Sequence, residues 1–197
     1  MNTKEVILTR RSTRKFKDQS VDQALLQQVL EAGIYAPSGG NSQSCHFLVI
    51  ENKDILNQLV ELVQNEFKQM EVKEGMYKSI ISSINQSKKG NYNFYYNAPV
   101  LIVVANKKEY GNAYVDSACA LENMMLMCNE LDLGSVWINQ LRWLNENNTI
   151  VSYLNQLGLN NDEIVCGALS VGYPDTEDLK PIRKALPRIG NTITYIK

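Results

Sequence analysis

Between residues 112 and 133 the chain is apolar at almost every position, broken by Asp116, Asn123 and Glu130 at seven-residue spacing, with Glu122 and Asn129 alongside. A helix written this way shows water only a narrow polar stripe, whereas a surface helix buries a single face. The spacing therefore predicts a central helix covered on most of its circumference, either by its own chain or by a partner subunit. Just before it, Pro99 to Ala105 (PVLIVVA) is a continuous apolar run of strand length, far short of a membrane span. A buried strand feeding a buried helix calls for a layered core of strands and helices, α/β or α+β. At 197 residues, with no internal repeat and no long linker, one domain spanning residues 1–197 is the expectation.

The remaining pattern fits that frame. Residues 3 to 10 read as a short helix, and Ser20-Val21-Asp22-Gln23 as a capping box opening a second one, with Leu25, Leu26, Val29 and Leu30 at helical spacing and Gly33 near its end. His46 to Glu51 reads as a buried strand and residues 53 to about 70 as a helix. Residues 71 to 97 carry no clear period and read as a possible flap, with Lys88-Lys89-Gly90-Asn91 as a break. Gly134 to Ile138 is a short strand, 144 to 157 a helix stopped by Gly158, and Ile164 to Val171 the last long strand. Beyond Gly172 the chain is punctuated by proline and ends in Ile193-Thr194-Tyr195-Ile196, which has the character of a strand seeking a sheet edge, in this subunit or another.

Charge excludes some functions. Twenty Lys and Arg stand against 21 Asp and Glu, so the chain lacks the basic field expected of a binder of nucleic acid or anionic membrane. The polar start has no signal-peptide core. The four cysteines, at 45, 119, 128 and 166, lack CxxC spacing, so reduced thiols and a cytoplasmic location are expected. One histidine, His46, leaves too little for a Ser-His-Asp or Cys-His site, and neither a zinc set nor a GxGxxG or GxxxxGK[ST] cradle occurs. No side-chain set here could carry out difficult chemistry unaided, which points to a cofactor that brings its own.

Two loops are equipped to hold one. Of six arginines, five lie near the chain ends: Arg10, Arg11 and Arg14, then Arg183 and Arg188. Guanidinium groups hold phosphate through paired N–H donors, so Arg10, Ser12 and Arg14 at alternate positions of a turn suit a phosphate or a pyrimidine-like edge. Solubilisation is the competing role for these charges. The loop Pro37-Ser38-Gly39-Gly40-Asn41-Ser42-Gln43 supplies glycines for close backbone approach beside hydrogen-bonding side chains, although such a loop before a strand is often only a turn.

These segments, Arg10-Arg11-Ser12-Thr13-Arg14-Lys15-Phe16, Ala36 to Gln43 running into His46-Phe47, Ala98-Pro99-Val100, Gly134 to Ile138, Gly172-Tyr173-Pro174 and Arg183-Lys184, occur in an order that resembles the nitroreductase family of FMN-dependent oxidoreductases over nearly the whole chain. The resemblance implies an α+β fold with a central, mainly antiparallel sheet flanked by helices, in an intertwined homodimer that exchanges C-terminal tails. It implies FMN at the subunit interface, with NADH or NADPH as co-substrate. Arg10, Arg11, Ser12 and Arg14 would grip the phosphate, ribityl chain and pyrimidine edge, and Arg183 with Lys184 would close on the phosphate. Pro37, Ser38, Gly39 and Asn41 would arrive from the other subunit. A backbone N–H of Asn139 or Gln140 would point near flavin N5 and O4.

The implied activity passes reducing equivalents from NAD(P)H through flavin N5 to a nitroaromatic or quinone-type acceptor by a ping-pong scheme. A flavin-storing protein with little turnover, a flavin-dependent dehalogenase and an ene-reductase are alternatives on the same fold. Two positions depart from the family pattern: Ser44-Cys45 stands where many relatives have Pro-Trp, and Asn139-Gln140 where many have Gly-Gly. Cys45 could be a redox thiol or a packing residue. Tyr92, Phe94, Tyr95 and Tyr96 could line the acceptor pocket or belong to the core.

Overall fold

The computed structural model describes residues 1–197. Seven α-helices and four strands follow one another as α1 (Thr3–Thr9), α2 (Gln23–Ile34), β1 (His46–Ile50), α3 (Lys53–Gln69), α4 (Lys78–Lys89), β2 (Val100–Lys107), α5 (Ala113–Glu130), β3 (Gly134–Ile138), α6 (Gln140–Trp143), α7 (Asn148–Gln156) and β4 (Glu163–Gly172). The strands form one antiparallel sheet in the order β1-β2-β4-β3, so the fold is α+β. β2 lies inside the sheet and is buried on both faces, which is why its sequence is an unbroken apolar run rather than an alternating one.

Each face of the sheet carries its own core. On one, Leu56, Leu59, Val63 and Phe67 of α3 pack with Ile84 of α4, Leu101 and Val103 of β2, and Ile150 and Leu154 of α7. On the other, Leu121, Met124, Met125 and Cys128 of α5 pack with Leu26 and Val29 of α2 and with Val100, Ile102 and Val104 of β2. α5 is thus the central helix that its narrow polar stripe predicts, touching β2, β3, β4, α1 and α2. The polar residues of that stripe hold neighbouring segments. Asn123 Nδ2 donates to the Ala32 carbonyl, and Asn129 Nδ2 donates to the Val6 carbonyl and to Thr9 Oγ1, fixing the end of α1.

Three sequence expectations need correction. α2 is capped by Asp22, whose carboxylate accepts from the Ala24 and Leu25 N–H groups; Ser20 and Gln23 do not form the expected box. Residues 71 to 97 contain a true helix, α4, ended by left-handed Gly90 at the expected break. The helix expected over 144 to 157 begins only at Asn148, because Asn145 leaves helical pairing to bond both the N–H and the carbonyl of Val165 on β4. Of the two sheet edges expected for the tail, that of its own subunit is not used: Ile193 to Ile196 pairs with no strand of this chain, and Ile189 and Ile196 are almost fully exposed.

His46 and Glu163 tie the starts of β1 and β4 together across β2. His46 Nδ1 lies 2.8 Å from Glu163 Oε2, which also accepts the Asn160 N–H at 2.9 Å. Burial pushes the Glu163 carboxyl up, but the bonds from His46 and Asn160 outweigh it and hold it below the usual carboxylate range. A carboxyl with a depressed folded pKa stabilises the fold above its unfolded pKa, and that contribution is lost as pH falls through the folded value. Urea midpoints measured from about pH 5 to about pH 3 are therefore expected to fall less steeply in Glu163→Gln than in the parent. Parallel slopes would remove Glu163 as a source of acid sensitivity.

Candidate functional site

The first site segment leaves the end of α1 in extended form. Arg10 adopts φ −53° and ψ 132°, Ser12 bridges to Ser135 of β3, and the Thr13 N–H donates to the Ser135 carbonyl at 2.9 Å. Gly134 permits this approach, since a Cβ there would lie 2.7–2.9 Å from the Thr13 side chain. The segment and the chain after β4 enclose a 210 Å³ cavity whose walls include Arg11, Ser12, Thr13, Arg14 and Lys15, with Asp175 opposite. Asp175 is already paired with Lys17 at 2.5 Å, so the uncompensated charge of the cavity is positive.

Arg11 is the informative side chain. Its Nη1 donates to the carbonyls of Leu8 (3.3 Å) and Arg10 (2.6 Å), which fix the guanidinium plane, while Nε and Nη2 are buried with no acceptor. Buried charged donors without partners are strongly unfavourable. Two free N–H groups on one rigid fork match an oxyanion such as phosphate, so the donor set fits the phosphate end of FMN. Arg14 lies with its Cζ 5.9 Å from the centre of the Tyr96 ring, a cation–π arrangement that aims a second guanidinium.

The other expected arginines stand apart from this cavity. Arg10 Nε is 3.8 Å from Glu122 of α5. Of the residues that alternate spacing singles out, Ser12 and Arg14 line the cavity together with Arg11, while Arg10 packs toward α5. Arg183 donates to the carbonyl and side chain of Asn129 and, at 2.5 Å, to Asp132 Oδ1, so it sits on the C-terminal end of α5, while Lys184 is exposed. Burial raises the Asp132 carboxyl, but Arg183 and Lys180 together hold it below its ordinary range.

The second loop is a single 3-10 turn, Gly39–Asn41, in which Gly40, Asn41 and Gln43 all have left-handed φ, at 59°, 56° and 49°. For the two non-glycine residues this costs of order 1 kcal/mol or more each. Ser38 Oγ accepts the Gln43 N–H. Pro37 and Ser38 face a 110 Å³ pocket against α2 and Asp116, separate from the arginine cavity. Within one chain the two loops are not brought together.

At the end of β3, Trp137 Nε1 donates to Asn139 Oδ1 at 2.9 Å. Gln140 reaches the other way: Nε2 donates to Tyr92 Oη at 2.7 Å and lies 3.3 Å from Ser83 Oγ, while Oε1 accepts the Asn139 N–H at 3.2 Å. Residues 71 to 97 are thereby tied to the strand end. The aromatic cluster divides, with Phe94 and Tyr95 buried in the core and Tyr92 and Tyr96 extending to Gln140 and Arg14. Cys45 is half-buried, its thiol is pushed up mainly by burial, and Sγ lies 3.6 Å from both Ser117 Oγ and Asn106 Nδ2, which marks it as a packing residue.

The model of the nitroreductase family matches residues 7–173. The chain belongs to the nitroreductase family. A nitroreductase from Bacteroides fragilis, crystallised with bound FMN, superposes with a TM-score of 0.85 at 31% identity, all of both chains being covered. Another from Desulfitobacterium hafniense, also with bound FMN, gives 0.81 at 26% identity, again over all of both chains. An Archaeoglobus fulgidus protein provisionally named NADH dehydrogenase/NAD(P)H nitroreductase is 27% identical over 178 residues, 88% of this chain and 86% of its own. The family resemblance and the α+β fold expected from the sequence are borne out. Thr13 and Lys15 of the first motif join the cavity wall without having been assigned a role, and residues that the motifs did not point to are Ser83 beside Gln140 and Asp116 with Tyr110 beneath the glycine loop. Only Asp116 had a signal of its own, as a member of the α5 polar stripe.

Proposed function

We propose that this nitroreductase-family chain is an FMN-dependent oxidoreductase that takes electrons from NADH or NADPH and delivers them to a nitroaromatic or quinone-type acceptor. The observation that carries the reading is Arg11, which lines the positive cavity, is fixed by two backbone carbonyls and keeps two buried, unpaired N–H groups. Arg11, Ser12 and Arg14, with Lys15, bind the phosphate end. Arg10 and Arg183 lie outside this cavity, beside Glu122 and Asp132, and Lys184 is exposed on the tail. Bound FMN supplies the two-electron redox chemistry, which explains why no acid–base or nucleophilic side-chain set is present. Asn139 and Gln140 provide polar groups along the ring edge, and the long bond from the Asn139 N–H to Gln140 Oε1 leaves that donor available to a better acceptor.

A small-molecule site encloses about 300–1,000 Å³, so the arginine cavity accounts for one end of the cofactor only. The rest is supplied by a second copy of the chain, with Pro37, Ser38, Gly39 and Asn41 reaching the flavin of the partner. Support for a homodimer comes from a 460 Å³ groove lined by Val6, Ile7, Leu126 and Met127, and from neighbouring apolar side chains left in water, among them Leu8, Ile34, Tyr35 and Val115. Isolated exposed apolar residues are ordinary, but a contiguous group marks an interface. The tail beyond Pro181, with Ile193 and Ile196 exposed, crosses to the partner in the same assembly. The whole chain acts as one cofactor-binding unit. Its four free thiols suit the cytoplasm, and no helix is long and apolar enough to cross a membrane.

Purified protein is expected to be yellow or to become so on adding FMN, to bleach under anaerobic NADH or NADPH, and to regain colour with a nitroaromatic or quinone. A colourless protein that takes up no FMN overturns the assignment, and stable colour without bleaching would make it a flavin store.

A further inference from the structure

We infer that Asp116 is a positioning residue for the cofactor site: by clamping the Gly39–Gln43 loop from below, it holds that loop in the shape that meets the flavin of the partner subunit. The inference rests on the assignment of that loop to FMN and adds to it the device that shapes the loop.

Asp116 lies in the first turn of α5 and is almost wholly buried, yet it makes no ion pair with a lysine or arginine. Its charge is met instead by the loop. The Gly39 N–H points between both carboxylate oxygens, at 3.2 and 3.1 Å, Tyr110 donates to Oδ2 at 2.8 Å, and Ser42 Oγ lies 3.4 Å from the same oxygen. Tyr110 Oη also stands 3.0 Å from the Gly39 carbonyl, so the two side chains hold the peptide units on either side of the Gly39 Cα. The fit is close at position 39, where a Cβ would fall 2.2 Å from Asn112 Nδ2 and 2.7 Å from Tyr110 Oη, so a larger residue would displace the Tyr110 hydroxyl from the clamp.

A buried carboxylate is expensive to keep unless several donors converge on it. The left-handed conformations of Asn41 and Gln43 are also unfavourable, and persist only where the surroundings over-determine them. The hydrogen bonds between loop and carboxylate offset both costs. The strained loop presents its N–H to the carboxylate, and the carboxylate keeps the loop strained. A loop ordered before the ligand arrives loses less entropy when it binds, so the clamp acts on cofactor affinity.

The test compares Asp116→Ala, Asp116→Asn and Tyr110→Phe in the full-length holoenzyme. Flavin fluorescence measures FMN release, hydrogen exchange follows the amides of residues 38–44, and the visible band of the bound flavin reports its surroundings. Asp116→Ala is expected to expose the 38–44 amides and weaken FMN binding about ten- to a hundred-fold, the range of charge-assisted bonds lost. Asp116→Asn keeps an acceptor for Gly39 and should recover most of the affinity. Tyr110→Phe should have a smaller effect that is not additive with Asp116→Ala, since the two side chains are bonded to each other and both act on Gly39. Unchanged exchange at residues 38–44 in Asp116→Ala overturns the clamp. Exposed loop amides with unaltered FMN affinity and flavin spectrum overturn the loop's assignment to the cofactor, while the Arg11 cavity would stand.

Discussion

Arg11→Ala is expected to strip flavin from the purified protein while leaving the apoprotein as stable as the parent, or more so. The sign of the second effect makes the test specific. In the unliganded chain Nε and Nη2 of Arg11 are buried without acceptors, so the side chain is a burden until an anion arrives. Removing it deletes two charge-assisted bonds to phosphate, at about 1.5–3 kcal/mol each. Affinity should therefore fall about a hundred-fold or more. Removal also abolishes the penalty of an unpaired buried cation in the apo form, a trade between function and stability common at binding sites. Lysine should rescue poorly, because a single ammonium cannot reproduce a planar fork whose third nitrogen is already anchored on the Leu8 and Arg10 carbonyls. Fluorescence titration with FMN gives the affinity, and thermal unfolding of the flavin-free protein gives the stability. Parental affinity would remove Arg11 from the phosphate site, and a large loss of apoprotein stability would make it a structural residue.

Much of this arrangement could be read from the sequence wherever one physical demand dominated a stretch. β2 is interior to the sheet and needs apolar residues on both faces, so its run was unambiguous; only Asn106 and Lys107, which extend the ladder to Ile164 and Glu163, escaped the apolar criterion. α5 was legible because burial on nearly all sides leaves a polar residue no place except against a specific partner. Its stripe marks three clamps, on the glycine loop at Asp116, on α2 at Asn123 and on α1 at Asn129. α4 was opaque for the opposite reason. Its buried face includes Ser83 and Ser87, which blur the helical period, although Gly90 signalled its end.

Side-chain direction in the site was harder to foresee than site membership. Arg10, Arg11 and Arg14 were all visible as a cluster, but which of them turns inward depends on the extended exit from α1 and on the pairing of Ser12 and Thr13 with Ser135, a contact between residues 120 or more positions apart. Arg183 found acceptors at the C-terminal end of α5, where carbonyls and Asp132 concentrate negative charge. Tail residues with strand character stay unpaired although β1 is an edge strand, because β propensity alone does not select a partner.

Phe67→Ala is expected to be among the most destabilising single changes, and to disturb the flavin-facing end of β3 as well. Phe67 is fully buried on α3, edge-on to Tyr92 (6.4 Å, 89°) and to Trp143 (6.5 Å, 88°). Truncating a buried phenylalanine costs about 3–5 kcal/mol, a large share of the 5–15 kcal/mol that holds a typical domain together. The damage should not stay in the core. Tyr92 is the residue that receives the Gln140 side chain at 2.7 Å, and Trp143 lies on α6, which starts at Gln140, so Phe67 supports Gln140 from both directions. Urea unfolding should show a lower midpoint with an unchanged slope. In the fraction that remains folded, FMN affinity, which the proposed site assigns to the arginine cavity, should change far less than the rate of flavin reduction by NAD(P)H. Phe67→Leu, which refills most of the volume, should recover much of the stability but restore the rate only in part, since it lacks the edges that orient Tyr92 and Trp143. If stability falls and the reduction rate per bound flavin stays at the parental value, the aromatic cluster supports the core alone and Gln140 keeps its place without it.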